Sequence, residues 1–276
     1  MIEKIYIIRH GFRLNWVTTN WTSPTGLPRD PPLAAYGEAQ AEEVAQYILS
    51  LPEDERPTAV FSSPFYRCLQ TTQPTAQALK LPLYVDHGLG EWYLPVAPGT
   101  GLHPRPASAS TLKQWFPEID PAGWSTTWYP SRRGEDIEQI HDRVDGYLSV
   151  FLPHLERVYP KHRVIMLVSH AATIIALVRG LVGDRGLPVR VGCCTLSELV
   201  RKEGGDRGVI GGWEVKRFVD GAHLKDGALR DWGFEDIEIA HGKVIHDRGE
   251  ADSTLEEDQP VGSQVPDIQV QIPARM

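Results

Sequence analysis

The sequence predicts an α/β domain, a three-layer αβα sandwich around a mainly parallel sheet. Three observations carry that prediction. The runs Lys4-Ile5-Tyr6-Ile7-Ile8, Thr58-Ala59-Val60-Phe61-Ser62 and Val164-Ile165-Met166-Leu167-Val168 are apolar at almost every position, as strands covered on both faces must be. Segments of helical spacing alternate with them through most of the chain. Each run also breaks at once into polar residues, and the carboxyl ends of strands are where open α/β sheets hold ligands.

Composition narrows the function classes. The 276 residues give room for one large domain or two small ones, and the formal charge of 28 − 36 = −8 argues against a general nucleic-acid or anionic-membrane surface. A phosphate pocket in such a chain has to be a local basic spot. The three cysteines, Cys68, Cys193 and Cys194, form no disulfide framework. No Cys/His spacing points to zinc, so no metal or cofactor is expected. Met1 stands too close to the first strand for a signal peptide, and no apolar run approaches a membrane span. The expectation is an intracellular protein, cytoplasmic or nuclear.

In chain order, the first strand ends in Arg9-His10-Gly11-Phe12-Arg13, two guanidinium groups around an imidazole. Guanidinium forks match phosphate oxygens bidentately, so this stretch proposes phosphoryl chemistry, with Gly11 permitting a close backbone approach. The loop from Leu14 to Pro32 holds Trp16 and Trp21 and is a candidate pocket wall. After Asp30-Pro31-Pro32-Leu33, the spacing of Ala41, Val44, Ile48 and Leu51 predicts a helix that Pro52 ends. The second strand leads into Ser63-Pro64-Phe65-Tyr66-Arg67-Cys68, where Ser63 is expected to cap a helix running to about Leu79 with Arg67 in its first turn. Leu83-Tyr84-Val85 reads as a short strand before Gly88-Leu89-Gly90-Glu91-Trp92.

Residues 92–134 change character, with four tryptophans and seven prolines around one brief helical pattern, and are expected to form a lid-like insertion. Residues 135–158 read as the longest helix, with Ile140, Val144, Leu148, Phe151 and Leu155 as its buried stripe. The last apolar strand ends in Ser169-His170-Ala171-Ala172, where a helix to about Val182 begins. Residues 193–200 and 213–218 alternate like a late antiparallel pair. The domain is expected to span 1–247, followed by an acidic, flexible tail over 248–276 in which only 267–273 alternates like a docking strand.

Arg9-His10-Gly11 with Arg13, Ser62-Ser63-Pro64 to Arg67, Gly90-Glu91-Trp92 and Ser169-His170-Ala171, in that order at strand ends, resemble the motifs of the histidine phosphatase superfamily, on the branch of the phosphoglycerate mutases. The likeness runs from residue 4 to about 220. The flanks are similar to the fungal phosphatase-like tau subunit of transcription factor IIIC and its free-standing paralogues, and to the phosphatase domain of Sts proteins. The resemblance implies a phosphoglycerate mutase-like fold and a metal-independent phosphatase, with His10 as the nucleophile that becomes a phosphohistidine. It implies Glu91 as general acid and base, His170 as a second imidazole on the phosphoryl oxygens, and Arg9, Arg13, Arg67 and Ala171 as phosphate ligands. Trp16 and Trp92 are expected in the pocket wall, with Trp92 raising the Glu91 pKa by excluding water. The partners expected are a phosphorylated small molecule or phosphoprotein, and a protein partner on the C-terminal tail; the aromatic content of Trp16, Trp21, Trp92 and Tyr93 motivates an aryl phosphate or phosphotyrosine. The alternative is a phosphatase-fold scaffold subunit of the RNA polymerase III initiation machinery.

Overall fold

The computed structural model describes residues 1–203, 208–237, 239–240, 243–244, 247–250, 260–268 and 270. Its strands include β1 (Lys4–Arg9), β2 (Ala59–Ser62), β3 (Leu83–Val85), β4 (Trp128–Tyr129), β5 (Val164–Ser169), β6 (Leu196–Arg201) and β7 (Trp213–Asp220). Its helices are α1 (Ala35–Ser50), α2 (Tyr66–Leu79), α3 (Ala109–Leu112), α4 (Ile137–Val158) and α5 (Ala171–Val182). Six strands form one sheet in the order β3-β2-β5-β1-β6-β7. The pairs β3/β2, β2/β5 and β5/β1 are parallel, while β6 and β7 complete the sheet antiparallel.

The apolar runs read as they do because alternate residues serve opposite layers. Ile5, Ile7, Ile165 and Leu167 pack with the α4 stripe and the apolar side of α5. Tyr6, Ile8, Met166 and Val168 pack with Val44 and Ile48 of α1 and Leu69 and Ala76 of α2. Each aliphatic side chain so enclosed contributes about 2 kcal/mol of transfer free energy. All five residues of the predicted α4 stripe are buried, and Asp136 with Gln139 closes a capping box at that helix's start.

Register sets the level of the strand tips. Arg9 stands opposite Ser169, Ser62 opposite Val168, and Ser62 also opposite Val85. Backbone bonds continue one step beyond, from His10 N to Ser169 O (3.0 Å), Ser63 N to Val168 O (2.9 Å) and Asp86 N to Ser62 O (3.0 Å). Four chain segments, those after β3, β2, β5 and β1, therefore leave the sheet side by side.

The structure departs from expectation at the start of α2 and at the tail. Helix α2 starts at Tyr66, so Ser63 does not cap it; Asp30, from the loop before α1, accepts the Tyr66 N–H instead at 2.8 Å. The insertion is braced from beneath. Buried Asp86 accepts from Trp124 Nε1, Thr127 N and Thr127 Oγ1, with Trp92 and Trp124 themselves buried. Lastly, the flexible tail expected from 248 does not fit the described residues there. Asp247 and Glu250 bridge to Val96 and Leu102, and Gly262–Ser263 pairs antiparallel with β4. Of the docking strand expected at 267–273, only Asp267, Ile268 and Val270 lie within the described residues, and Gly262–Ser263 is the segment that pairs.

Candidate functional site

His10 follows directly on β1, its ring Nδ1 2.8 Å from Gly11 O. A carbonyl only accepts, so Nδ1 carries the proton and the free lone pair sits on Nε2. Gly11 is required by helix packing rather than by a ligand: a Cβ there would stand 2.6 Å from Gly37 O in α1. The turn is held further by Gly11 N to Thr71 Oγ1 and Phe12 N to Gln40 Oε1, each 3.0 Å.

His170, after β5, places its ring centroid 5.4 Å from that of His10. Its Nε2 lies 2.8 Å from Ser63 Oγ, and its Nδ1 lies 3.1 Å from Arg67 Nη2 and 3.2 Å from Glu91 Oε2. The Ser63 hydroxyl donates or accepts and so serves either tautomer. Arg67, 1% exposed, spans two carboxylates, with Nη1 2.8 Å from Asp30 Oδ1 and Nη2 3.0 Å from Glu91 Oε2. Asp30 is equally buried. Burial, the larger effect, raises its carboxyl pKa against the pull of Arg67 and of the Tyr66 N–H.

The other two arginines differ. Arg9 Nη1 donates to the carbonyls of Val191 and Arg230, which fixes its direction. The Arg13 side chain makes no hydrogen bond among the described residues and lies 4.2 Å over the Trp16 ring, its pKa lowered to about 10 by burial and by Arg67. Its fork is available to an incoming oxyanion. A cavity of about 190 Å³ opens here, lined among others by Arg9, His10, Arg13, Glu91, Trp92 and Ala171. Arg67 and His170 are more deeply buried, while Trp16 flanks the cavity 6.3 Å from His10. The structure thus brings every sequence-predicted site residue to one place.

Electrostatics follows from this arrangement. Burial, then Arg67 and Arg9, drive the His10 pKa well below 6.5, so its imidazole is neutral at pH 7. Burial likewise lowers His170 to about 4, against the pull of Glu91. For Glu91, burial pushes upward, but His170, Arg67 and Arg13 outweigh it and hold the carboxyl well below its ordinary value. The expectation that Trp92 raises it is therefore corrected. Trp92 N–H donates to Glu91 Oε1 at 3.0 Å, and its indole turns away to Glu135 O.

His10, Glu91 and His170 each bring one potential ligand atom within 4.8 Å of the others. The Arg67 guanidinium touches two of those groups, and Arg9 and Arg13 stand alongside, so the field favours an anion over a cation. Sequence reasoning missed Asp30, Ser63 as the partner of His170, and Gly37. Asp30 offered a hint, a lone acid ahead of two prolines, but nothing linked it to Arg67. Among the described residues, no helix is long and apolar enough to cross a membrane.

A family model for the histidine phosphatase superfamily (branch 1) matches residues 5–211. The chain is 39% identical over 215 residues to the transcription factor tau 55 kDa subunit of Saccharomyces cerevisiae, covering 73% of this chain and 48% of that protein. It is 28% identical over 223 residues to the ecdysteroid-phosphate phosphatase of Drosophila melanogaster, covering 67% of this chain and 27% of that one. The chain thus spans about half of the first relative and about a quarter of the second. The solved ecdysone phosphate phosphatase from Bombix mori, in complex with tungstate, shares the fold at a TM-score of 0.55 and 16% identity, covering 78% of this chain and 92% of that one. Fold, strand-tip geometry and the match over most of the length agree: the chain belongs to the histidine phosphatase superfamily, branch 1.

Proposed function

We propose that this protein is a metal-independent phosphomonoester hydrolase that works through a phosphohistidine on His10, with aryl phosphates or phosphotyrosine as substrates. The observation that carries the reading is the His10 ring itself. Its Nδ1 proton is committed to Gly11 O, and burial and arginines keep the ring neutral, so Nε2 is a nucleophile with its lone pair exposed to a cationic cavity.

The step is a displacement at phosphorus. Nε2 forms the P–N bond while the ester P–O bond breaks and Glu91 gives its proton to the departing oxygen. Arg13, Arg9 and Arg67 take the equatorial oxygens together with the Ala171 N–H at the start of α5, where unpaired amides favour an anion. An oxygen that displaces Glu91 from His170 Nδ1 gains that imidazole as a donor. Water then attacks phosphorus, Glu91 takes the water proton, and the P–N bond breaks to release phosphate. Trp16, its ring 6.3 Å from that of His10, gives the aromatic wall that motivates an aryl leaving group.

The test is turnover of an aryl phosphate by the purified protein, with labelled phosphohistidine trapped without acid. His10→Ala is expected to abolish both turnover and label. Equal rates in the two proteins would overturn the reading.

A second reading has one observation in its favour, the 39% identity to a transcription factor subunit. On that reading the fold is a scaffold of the RNA polymerase III machinery, nuclear, with protein partners on its C-terminal segment. Affinity purification separates them: recovery with transcription-complex subunits favours the scaffold, a solitary protein the enzyme.

A further inference from the structure

Three guanidinium groups surround one indole. The Trp16 ring centroid lies 4.2 Å from Arg13, 5.2 Å from Arg230 and 5.9 Å from Arg9. Arg9 and Arg13 have a role in the proposed chemistry; Arg230 has none. Its guanidinium is exposed, lies also 5.7 Å from the Phe12 ring, and makes no hydrogen bond or ion pair among the described residues. Elsewhere this acidic chain matches arginines to carboxylates, as at Arg29, Arg185, Arg190 and Arg201. Even Asp231, next in sequence, turns to Arg190 at 2.8 Å. Like charges gathered on one ring with no counterion repel one another, and an arriving anion relieves that repulsion.

The position of Arg230 is built rather than incidental. Its own carbonyl accepts from Arg9 Nη1, so the residue is tied to the phosphate-facing guanidinium. On either side, Leu229 O accepts from Cys193 N at 2.8 Å, and Val191 and Trp232 exchange backbone bonds of 2.9 and 3.2 Å. Arg230 adopts φ 55°, the left-handed region that a residue with a side chain enters only when its surroundings impose it. Trp16 links the two ends, since its ring is also 6.3 Å from His10.

We propose that Arg230, carried over the Trp16 face, is a second anion subsite, and that the substrate is a phosphomonoester bearing a carboxylate or second phosphate about one aromatic ring from the reacting group. This rests on the hydrolase reading for its term substrate, but its test does not need turnover. The probes are phenylphosphonate and 4-carboxyphenylphosphonate, neither of which can be hydrolysed, titrated calorimetrically at low salt into the full chain. The wild type is expected to bind the carboxylated probe about tenfold tighter, as a charge-assisted contact gives. Arg230→Ala is expected to erase that preference, costing the carboxylated probe about tenfold more affinity than it costs phenylphosphonate, with Arg230→Lys retaining part of it. Equal affinities in the wild type, a preference surviving in Arg230→Ala, or no binding of either probe overturns the subsite. A preference obeying these expectations in a protein that turns over no phosphomonoester keeps the subsite and removes the hydrolase.

Discussion

Asp30→Asn separates two roles for the carboxylate beneath Arg67. The change keeps shape and one acceptor but removes a charge that is 1% exposed and 2.8 Å from a guanidinium. Removing one partner of a buried pair costs about 3–5 kcal/mol, and Glu91 still partly neutralises Arg67, so the lower end applies, about 3 kcal/mol. With roughly 0.5 kcal/mol/K of unfolding entropy for a chain of this size, Tm falls by about 6 °C. If Asp30 acted only through its charge, its loss would favour a bound anion. At ~7 Å and an effective dielectric of 20 that is about 2 kcal/mol, or about thirtyfold tighter inorganic phosphate. If Asp30 positions the guanidinium, Arg67 drifts toward Glu91, and a shift near 1 Å lowers kcat about a hundredfold with no gain in phosphate affinity. Scanning calorimetry, phosphate titration and aryl phosphate turnover read the three quantities. Tighter phosphate with unchanged kcat and Tm would refute the positioning argument.

Two further expectations follow from the same contacts. Burial lowers His87 and His170 to about 4 and His10 well below 6.5, so the unfolded chain binds these protons first and stability falls as pH drops below 6.5 toward 4. Asp86, pushed up to about 6 by burial, and the raised Asp30 and Glu135 offset part of this; a Tm that does not fall across that window would contradict it. Arg29, at φ 61°, clasps Asp247 and Glu250 at 2.8 and 3.0 Å while its own carbonyl receives Arg67 Nη1, so Arg29→Ala is expected to lower kcat about tenfold through Arg67. Asp247→Asn with Glu250→Gln should give the same loss, and the triple variant should add nothing, a cycle that enzyme kinetics reads directly.

What was legible in the sequence lay on strands and helix stripes, where one rule of periodicity fixes many residues. The runs at 4–8 and 164–168 are apolar because two layers cover them, and Arg9, His10 and His170 lie at their tips. Arg67 was legible as an arginine just beyond another strand. What escaped depended on contacts between segments remote in sequence. Asp30 acts on a helix 36 positions later, and Ser63 gave up an expected cap for a histidine 107 positions away. The docked segment at 247–250 and 262–263 escaped for a different reason. Its composition is that of a flexible tail, and its order comes from edges the insertion offers.

The charges of the site also set the order of events on the proposed reading. Glu91 must hold a proton when the ester bond breaks, yet Arg67 and its other neighbours keep it ionised. A phosphomonoester resolves the conflict. Its oxygens occupy Arg13 and draw on Arg67, cancelling the positive charge that held the Glu91 proton off, and the carboxyl pKa rises only while substrate is bound. The His10 ring needs no such change, because its proton is already placed by Gly11 O and its pKa is already low. On that reading the nucleophile is set by the protein's own contacts, and the acid is made by the substrate. Once the ester oxygen has left with the proton, Glu91 is again a carboxylate beside the phosphohistidine, the form that the attack of water requires.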